Sequence, residues 1–130
     1  MTNLNKEDFA QKLVLLFPEK EPLLAEHYND YNELLGHVFF SDEINIPLMD
    51  LLRGNTDIDT ITKYCRFIQE MWSKGDDNVV NVVDVTILER ISDEEITWAN
   101  FGKHISDDFK EYINQSVLIE NKMMFNVPRL

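Results

Sequence analysis

Cysteine is nearly missing from this chain: Cys65 stands alone, so no disulfide can staple the fold from within. Glycine and proline are sparse, at four each, which argues against a turn-rich β-sandwich. Long helices on short loops fit that composition better. No apolar run approaches the ~20 residues of a membrane-spanning helix; the longest are 13–17 and 38–40. The N-terminus has no basic segment leading into an apolar one, so no secretory signal is expected and a cytoplasmic location follows. Basic residues are half as numerous as acidic ones, 12 against 24, and the net charge is −12. Such a surface repels phosphate backbones and anionic lipid, which excludes nucleic acid and membrane as expected partners. It favours a basic protein partner and speeds encounter with it. Plain solubility is the competing explanation of the same charge.

What is present suffices for one core. The 130 residues, 44% of them hydrophobic, make a single domain, 1–130, that needs neither metal nor disulfide. Helical spacing dominates. Asn5 caps a first helix from Lys6 to Phe17, stopped by Pro18, and a second is entered at Pro22. The stretch 33–52 reads as helix in two pieces: Ser41-Asp42-Glu43 suggests a fresh N-cap, and Pro47 should end or kink any continuous helix. Gly54-Asn55 closes it.

Asp57 or Asp59 then caps the most regular helix, in which Ile58, Ile61, Tyr64, Cys65, Ile68, Met71 and Trp72 follow an i, i+3, i+4 rhythm. Gly75 is expected to end it in left-handed geometry. Residues 78–88 are rich in valine and favour a strand by propensity. Their apolar positions do not alternate strictly, and Asp76-Asp77 before them and Glu89-Arg90 after them suit a buried helix reaching Ile91. Ser92 to Glu95 resembles a capping box opening a short helix with Trp98 and Phe101. Ser106 caps the last helix, Asp107 to about Met123, with Phe109, Ile113, Val117 and Glu120 marking its turns. The fold class is therefore all-α, a single-domain bundle of six to seven helices. The pair on either side of Gly75 suggests HEAT-like packing.

No residue pattern points to catalysis or to a metal. His27, His37 and His104 are widely spaced, and no HExxH or CxxC occurs, so no metal or other cofactor is expected. Cys65 lies near the apolar face of its helix, where a thiol is an inert small hydrophobe. The isolated glycines form no phosphate loop. Asn114-Gln115-Ser116 matches a glycosylation sequon inside a predicted helix and reads as chance. Asp76-Asp77, Asp93-Glu94-Glu95 and Asp107-Asp108 sit at helix starts, where they complement the macrodipole. No catalytic residue is nominated, and the chain reads as a non-enzyme.

Residues 31–60 are the most lopsided third: Glu33, Asp42, Glu43, Asp50, Asp57 and Asp59 face only Arg53, a balance of −5. This is the candidate partner-binding face. Phe39, Phe40 and Tyr31 beside it are either aromatic anchors, the residue class that dominates interface energetics, or core.

The run from Glu33 through Gly36-His37-Val38-Phe39-Phe40-Ser41 to Asp42, the stretch 67–71 leading into Gly75-Asp76-Asp77-Asn78-Val79-Val80-Asn81-Val82, and Leu88-Glu89 resemble a family of small, acidic, uncharacterised bacterial proteins. Members look like immunity proteins of polymorphic toxin systems. The resemblance covers roughly residues 25–92. It implies an all-helical antitoxin that neutralises a basic toxin domain through an acidic surface, and it supplies no catalytic residues. Pro47 departs from the continuous helix expected at that point, and the C-terminal third carries no resemblance. A helical adaptor that binds a peptide in an apolar groove, through residues such as Phe39 and Trp72, is the alternative.

Overall fold

The computed structural model describes residues 3–118 and 127–130, and the described chain is helical almost throughout. Among the described residues seven helices follow one another: α1 (Lys6–Leu16), α2 (Glu21–Tyr31), α3 (36–54), α4 (Ile58–Lys74), α5 (77–91), α6 (Glu95–Gly102) and α7 (107–117). The starts are set by side chains. Asn5 and Asp8 form a reciprocal capping box on α1, Asp57 accepts from the Thr60 amide, Asp76 from Val79 and Ser106 from Phe109. Asn32 and Asn55 end α2 and α3 in the left-handed region, at φ 61° and 50°. Asparagine tolerates that region better than other residues with a Cβ.

One contiguous core joins all seven helices, with Trp98, Phe9, Phe39, Phe40, Phe101 and Phe109 among its largest members. Residues 78–88 are helical: Val79, Val82, Val83, Ile87 and Leu88 are buried together, and packing on several sides overrides the strand propensity of valine. The final segment folds back on α6 and α7. The Trp98 indole donates to the Pro128 carbonyl, and Asn114 exchanges two hydrogen bonds with the Leu130 backbone. The expected end of α7 near Met123, and Glu120 with it, lie outside the described residues.

Four local expectations are corrected. Ser41 is not an N-cap; it continues α3 in right-handed helical geometry. The helix runs through Pro47 because a π-turn, Ser41–Asn45, precedes it. Proline disrupts a regular helix by removing an N–H and crowding the carbonyl four residues back. A wider turn just ahead of it relieves both demands. Gly75 is extended, at φ −77° and ψ 154°, not left-handed. Glycine is required there by close approach: a Cβ would stand 2.3 Å from the Met71 carbonyl oxygen and 2.4 Å from Val79 Cγ1. The same bend lets Leu4 lie alongside, donating to Lys74 O at 2.9 Å and accepting from the Asp76 amide at 2.8 Å. Finally, α6 starts at Glu95 with Glu94 as its N-cap, two residues later than the capping-box pattern implied. Thr97 Oγ1 ties this corner to the carbonyls of Ile91 and Glu94.

Two more π-turns interrupt α5 (Val83–Ile87) and α7 (Ile113–Val117). Each of the three holds one buried polar side chain: Asn45, Asp84 and Asn114. Asn45 donates across to the Ile87 carbonyl, and Tyr112 donates its hydroxyl to both Asp84 oxygens, at 2.9 and 2.7 Å. Burial raises the Asp84 carboxyl above its ordinary value, while the Tyr112 hydrogen bond partly offsets the shift.

Gly75→Ala should therefore destabilise the protein by roughly 1–3 kcal/mol, seen as a lower urea midpoint at unchanged slope. An unaltered midpoint would contradict the close approach. Asp84 binds its proton more tightly folded than unfolded, so stability falls as pH rises through the window between its ordinary and its raised pKa. Asp84→Asn should make the protein more stable than the parent at neutral pH, and that gain should fade toward acid pH. The check is a pair of urea titrations at neutral and acid pH; an equal gap in both would refute it.

Candidate functional site

Helices α2 and α3 enclose a small cleft of about 190 Å³ lined by Leu23, Glu26, His27, Asp30, Tyr31, Phe39, Asp42 and Glu43. Its α2 wall follows helical spacing, with 23, 26, 27, 30 and 31 on one face. On α3, Phe39, Asp42 and Glu43 stand at i, i+3 and i+4. Asp42 and Glu43 belong to the first π-turn, which also carries Asn45 into the core. Such irregular turns are common at functional sites.

The base of the cleft is aromatic. His27, only 7% exposed, lies 4.8 Å from the Tyr31 ring and 5.4 Å from Phe39, centroid to centroid. Its Nε2 accepts a hydrogen bond from the Leu35 amide at 2.9 Å, so the ring is neutral with its proton on Nδ1. That bond also fixes the link between α2 and α3. Phe39 and Phe40 are 2% and 0% exposed; both are core, which corrects their nomination as surface anchors. Only the wall formed by Phe39 reaches the cleft. Tyr31, 46% exposed, is the aromatic ring a partner can touch.

The four carboxylates of the cleft are not equivalent. Glu43 accepts a hydrogen bond from Lys20 Nζ at 3.3 Å. The Lys20 ammonium is buried and also sits 5.6 Å above the stacked rings of Phe17 and Tyr64. A buried cation must be paired, and Glu43 together with the two ring faces meets that need. Glu26, Asp30 and Asp42 have no cationic partner among the described residues. The cleft therefore presents three uncompensated negative charges beside an exposed tyrosine.

The other nominated residues lie elsewhere or are occupied. Glu33 is exposed in the link between α2 and α3. Asp50 lines a different cleft and pairs with Arg53, which also grips Glu94 through Nε and Nη2. That pairing lowers the Glu94 carboxyl below its ordinary value, the hydrogen bond from Arg53 being the main cause. Asp57 caps α4, and Asp59 is exposed in its first turn. Glu26 and Asp30 escaped the sequence reading because they fall outside the acidic window 31–60. Their i, i+4 spacing, in step with Leu23, His27 and Tyr31, was the available signal.

Elsewhere the chemistry is muted. Cys65 is buried, and burial pushes its thiol up to about 12, so no thiolate forms at neutral pH. Among the described residues no group of three or more His, Cys, Asp or Glu side chains is placed to hold a metal ion. No helix among them is long and apolar enough to cross a membrane.

Comparison with curated proteins and with solved structures gives no match. One family model, described as a domain of unknown function (DUF7674), matches residues 10–120, from within α1 to past the described end of α7. That span is wider than the 25–92 stretch of the bacterial resemblance, and the description attaches no activity to it. With most of its length matched, the chain belongs to the DUF7674 family.

Proposed function

We propose that the protein is a non-enzymatic binding module that captures a basic side chain of a partner protein in the α2–α3 cleft. The observation that carries this reading is the set of three unpaired carboxylates, Glu26, Asp30 and Asp42, next to Tyr31 and the neutral His27 ring. Carboxylates give a guanidinium or ammonium charge-assisted hydrogen bonds, about twice as strong as neutral ones. A tyrosine face adds ~0.5–1 kcal/mol at an exposed site. The volume, about 190 Å³, is below the ~300 Å³ at which clefts begin to hold drug-sized ligands, and it suits one long side chain. At physiological salt the Debye length is about 8 Å, so clustered charges steer a partner and scattered ones do not.

The narrower form of the proposal is a cytoplasmic immunity protein of a bacterial toxin system that occludes a basic toxin domain. The resemblance of 33–42 and 75–82 to such proteins supports it, and so does the charge, since basic toxin domains are captured fastest by an acidic face. An adaptor function is the second reading. It is favoured by Leu15, 80% exposed, which with Leu16 and Phe67 lines a cleft of about 350 Å³. Phe39 is unavailable to such a groove, and Trp72 is packed on Phe109 and Tyr112, at 4.9 and 5.2 Å. A catalytic reading would call for paired, perturbed carboxylates in one pocket. Asp84, raised by burial, lines neither the α2–α3 cleft nor those beside Asp50 and Leu15.

The test is retention of host proteins on the immobilised chain at low and high salt. The intact protein is compared with a Glu26→Gln, Asp30→Asn, Asp42→Asn triple variant and with Leu15→Asp. The expected outcome is a basic protein held at low salt, released by high salt, and bound about 10–100-fold more weakly by the triple variant. A partner indifferent to salt and to the triple variant, and lost with Leu15→Asp, would replace this reading by the adaptor.

A further inference from the structure

We propose that a second cleft, lined by Lys6, Gly36, His37, Asn78, Asn81 and Val82, binds a phosphate group. It measures about 200 Å³ and lies where the starts of α1, α3 and α5 converge. It is independent of the acidic cleft and shares no residue with it.

The chemistry of its walls runs against the composition of the chain. Four other clefts on the described surface each have at least one carboxylate in their lining, as expected for a net charge of −12. This one has none. Its polar members are a lysine, a histidine and two carboxamides, all able to donate hydrogen bonds.

Those donors are unengaged. Lys6 has no acidic partner among the described residues, and the carboxamides of Asn78 and Asn81, one turn apart on α5, have no hydrogen bond among them either. His37 is held through Nδ1 by Thr86 Oγ1, which leaves Nε2 without a partner there. The stem of Lys6 is laid over Gly36, where a Cβ would stand 3.5 Å from Lys6 Cδ. Lys6 is also the first residue of α1. A cation at a helix start opposes the macrodipole, and the Lys6 ammonium has no ion-pair partner among the described residues to offset that.

A bound anion supplies the missing charge. Asparagine alone is indifferent to ligand sign; Lys6 decides it. Donors that arrive from three helices suit a tetrahedral oxyanion, and the class proposed is phosphate, whether free or as a monoester.

The experiment is an amide NMR titration of the full chain in phosphate-free, low-salt buffer. The probes are inorganic phosphate, N-acetyl-O-phosphoserine amide and acetate. The proposal expects saturable shifts confined to Gly36, His37, Asn78 and Asn81 with a phosphate probe, and weak, unsaturated shifts with acetate. The tighter of the two phosphate probes identifies the source. Lys6→Gln, which leaves the Asn5–Asp8 capping box in place, should weaken binding about tenfold, and Asn81→Asp should abolish it. Lys12→Gln should leave it unchanged. Shifts scattered over all lysines, equal binding of acetate, or equal loss in Lys6→Gln and Lys12→Gln would each overturn the proposal.

Discussion

Charge sets the terms for this molecule. With 24 acidic residues and half as many basic ones, half of the carboxylates have no cation of their own and must be accommodated in other ways. Helix starts take a share: Asp8, Asp57 and Asp76 hold backbone amides that would otherwise lack partners. Arg53 serves two acids at once, and Lys20 is drawn inside to meet Glu43 beside two stacked aromatic rings. Glu26 and Asp30 on α2 are left facing Asp42 on α3 across a cleft, where the hydrogen bond from the Leu35 amide to His27 ties α2 to the link that leads into α3. Mutual repulsion there is tolerated because the apolar core beneath holds both helices.

The same core depends on polar side chains turned inward at three π-turns. Asn45 links α3 to α5, Asp84 links α5 to Tyr112 on α7, and Asn114 links α7 to the segment ending at Leu130. A buried polar group without a partner costs far more than a satisfied one returns, so these contacts specify how the helices register more than they add stability. The first of the turns is the point where fold and site meet: one irregularity buries Asn45, admits Pro47, and carries Asp42 and Glu43 at the cleft.

Much of the helical framework was legible in the residues. Asn5, Asp57, Asp76 and Ser106 announced helix starts, and the i, i+3, i+4 rhythm of 58–72 announced α4. Local rules apply there because capping and amphipathicity are local. The π-turns were not legible: Pro47 signals a disturbance but not its form, and nothing in 83–87 or 113–117 marks the extra residue. Gly75 suggests a left-handed stop, whereas its reason is the close approach of the Met71 carbonyl and of Val79, four residues on. The cleft draws on two separate stretches of the sequence. Asp42 and Glu43 lay inside the acidic stretch, while Glu26 and Asp30 join them only through the packing of α2 on α3. Phe39 and Phe40 looked alike in sequence as core or anchor, and burial decided it.

The proposed function requires the α2–α3 cleft to accept a cation. Titrating the protein with N-acetyl-arginine amide at low salt, followed through the aromatic resonances of Tyr31 and His27, addresses this most directly. Saturable shifts centred on those two rings, absent with the neutral analogue N-acetyl-citrulline amide, are the predicted result. Shifts spread evenly over all acidic segments, with none concentrated at Tyr31 or His27, would contradict it.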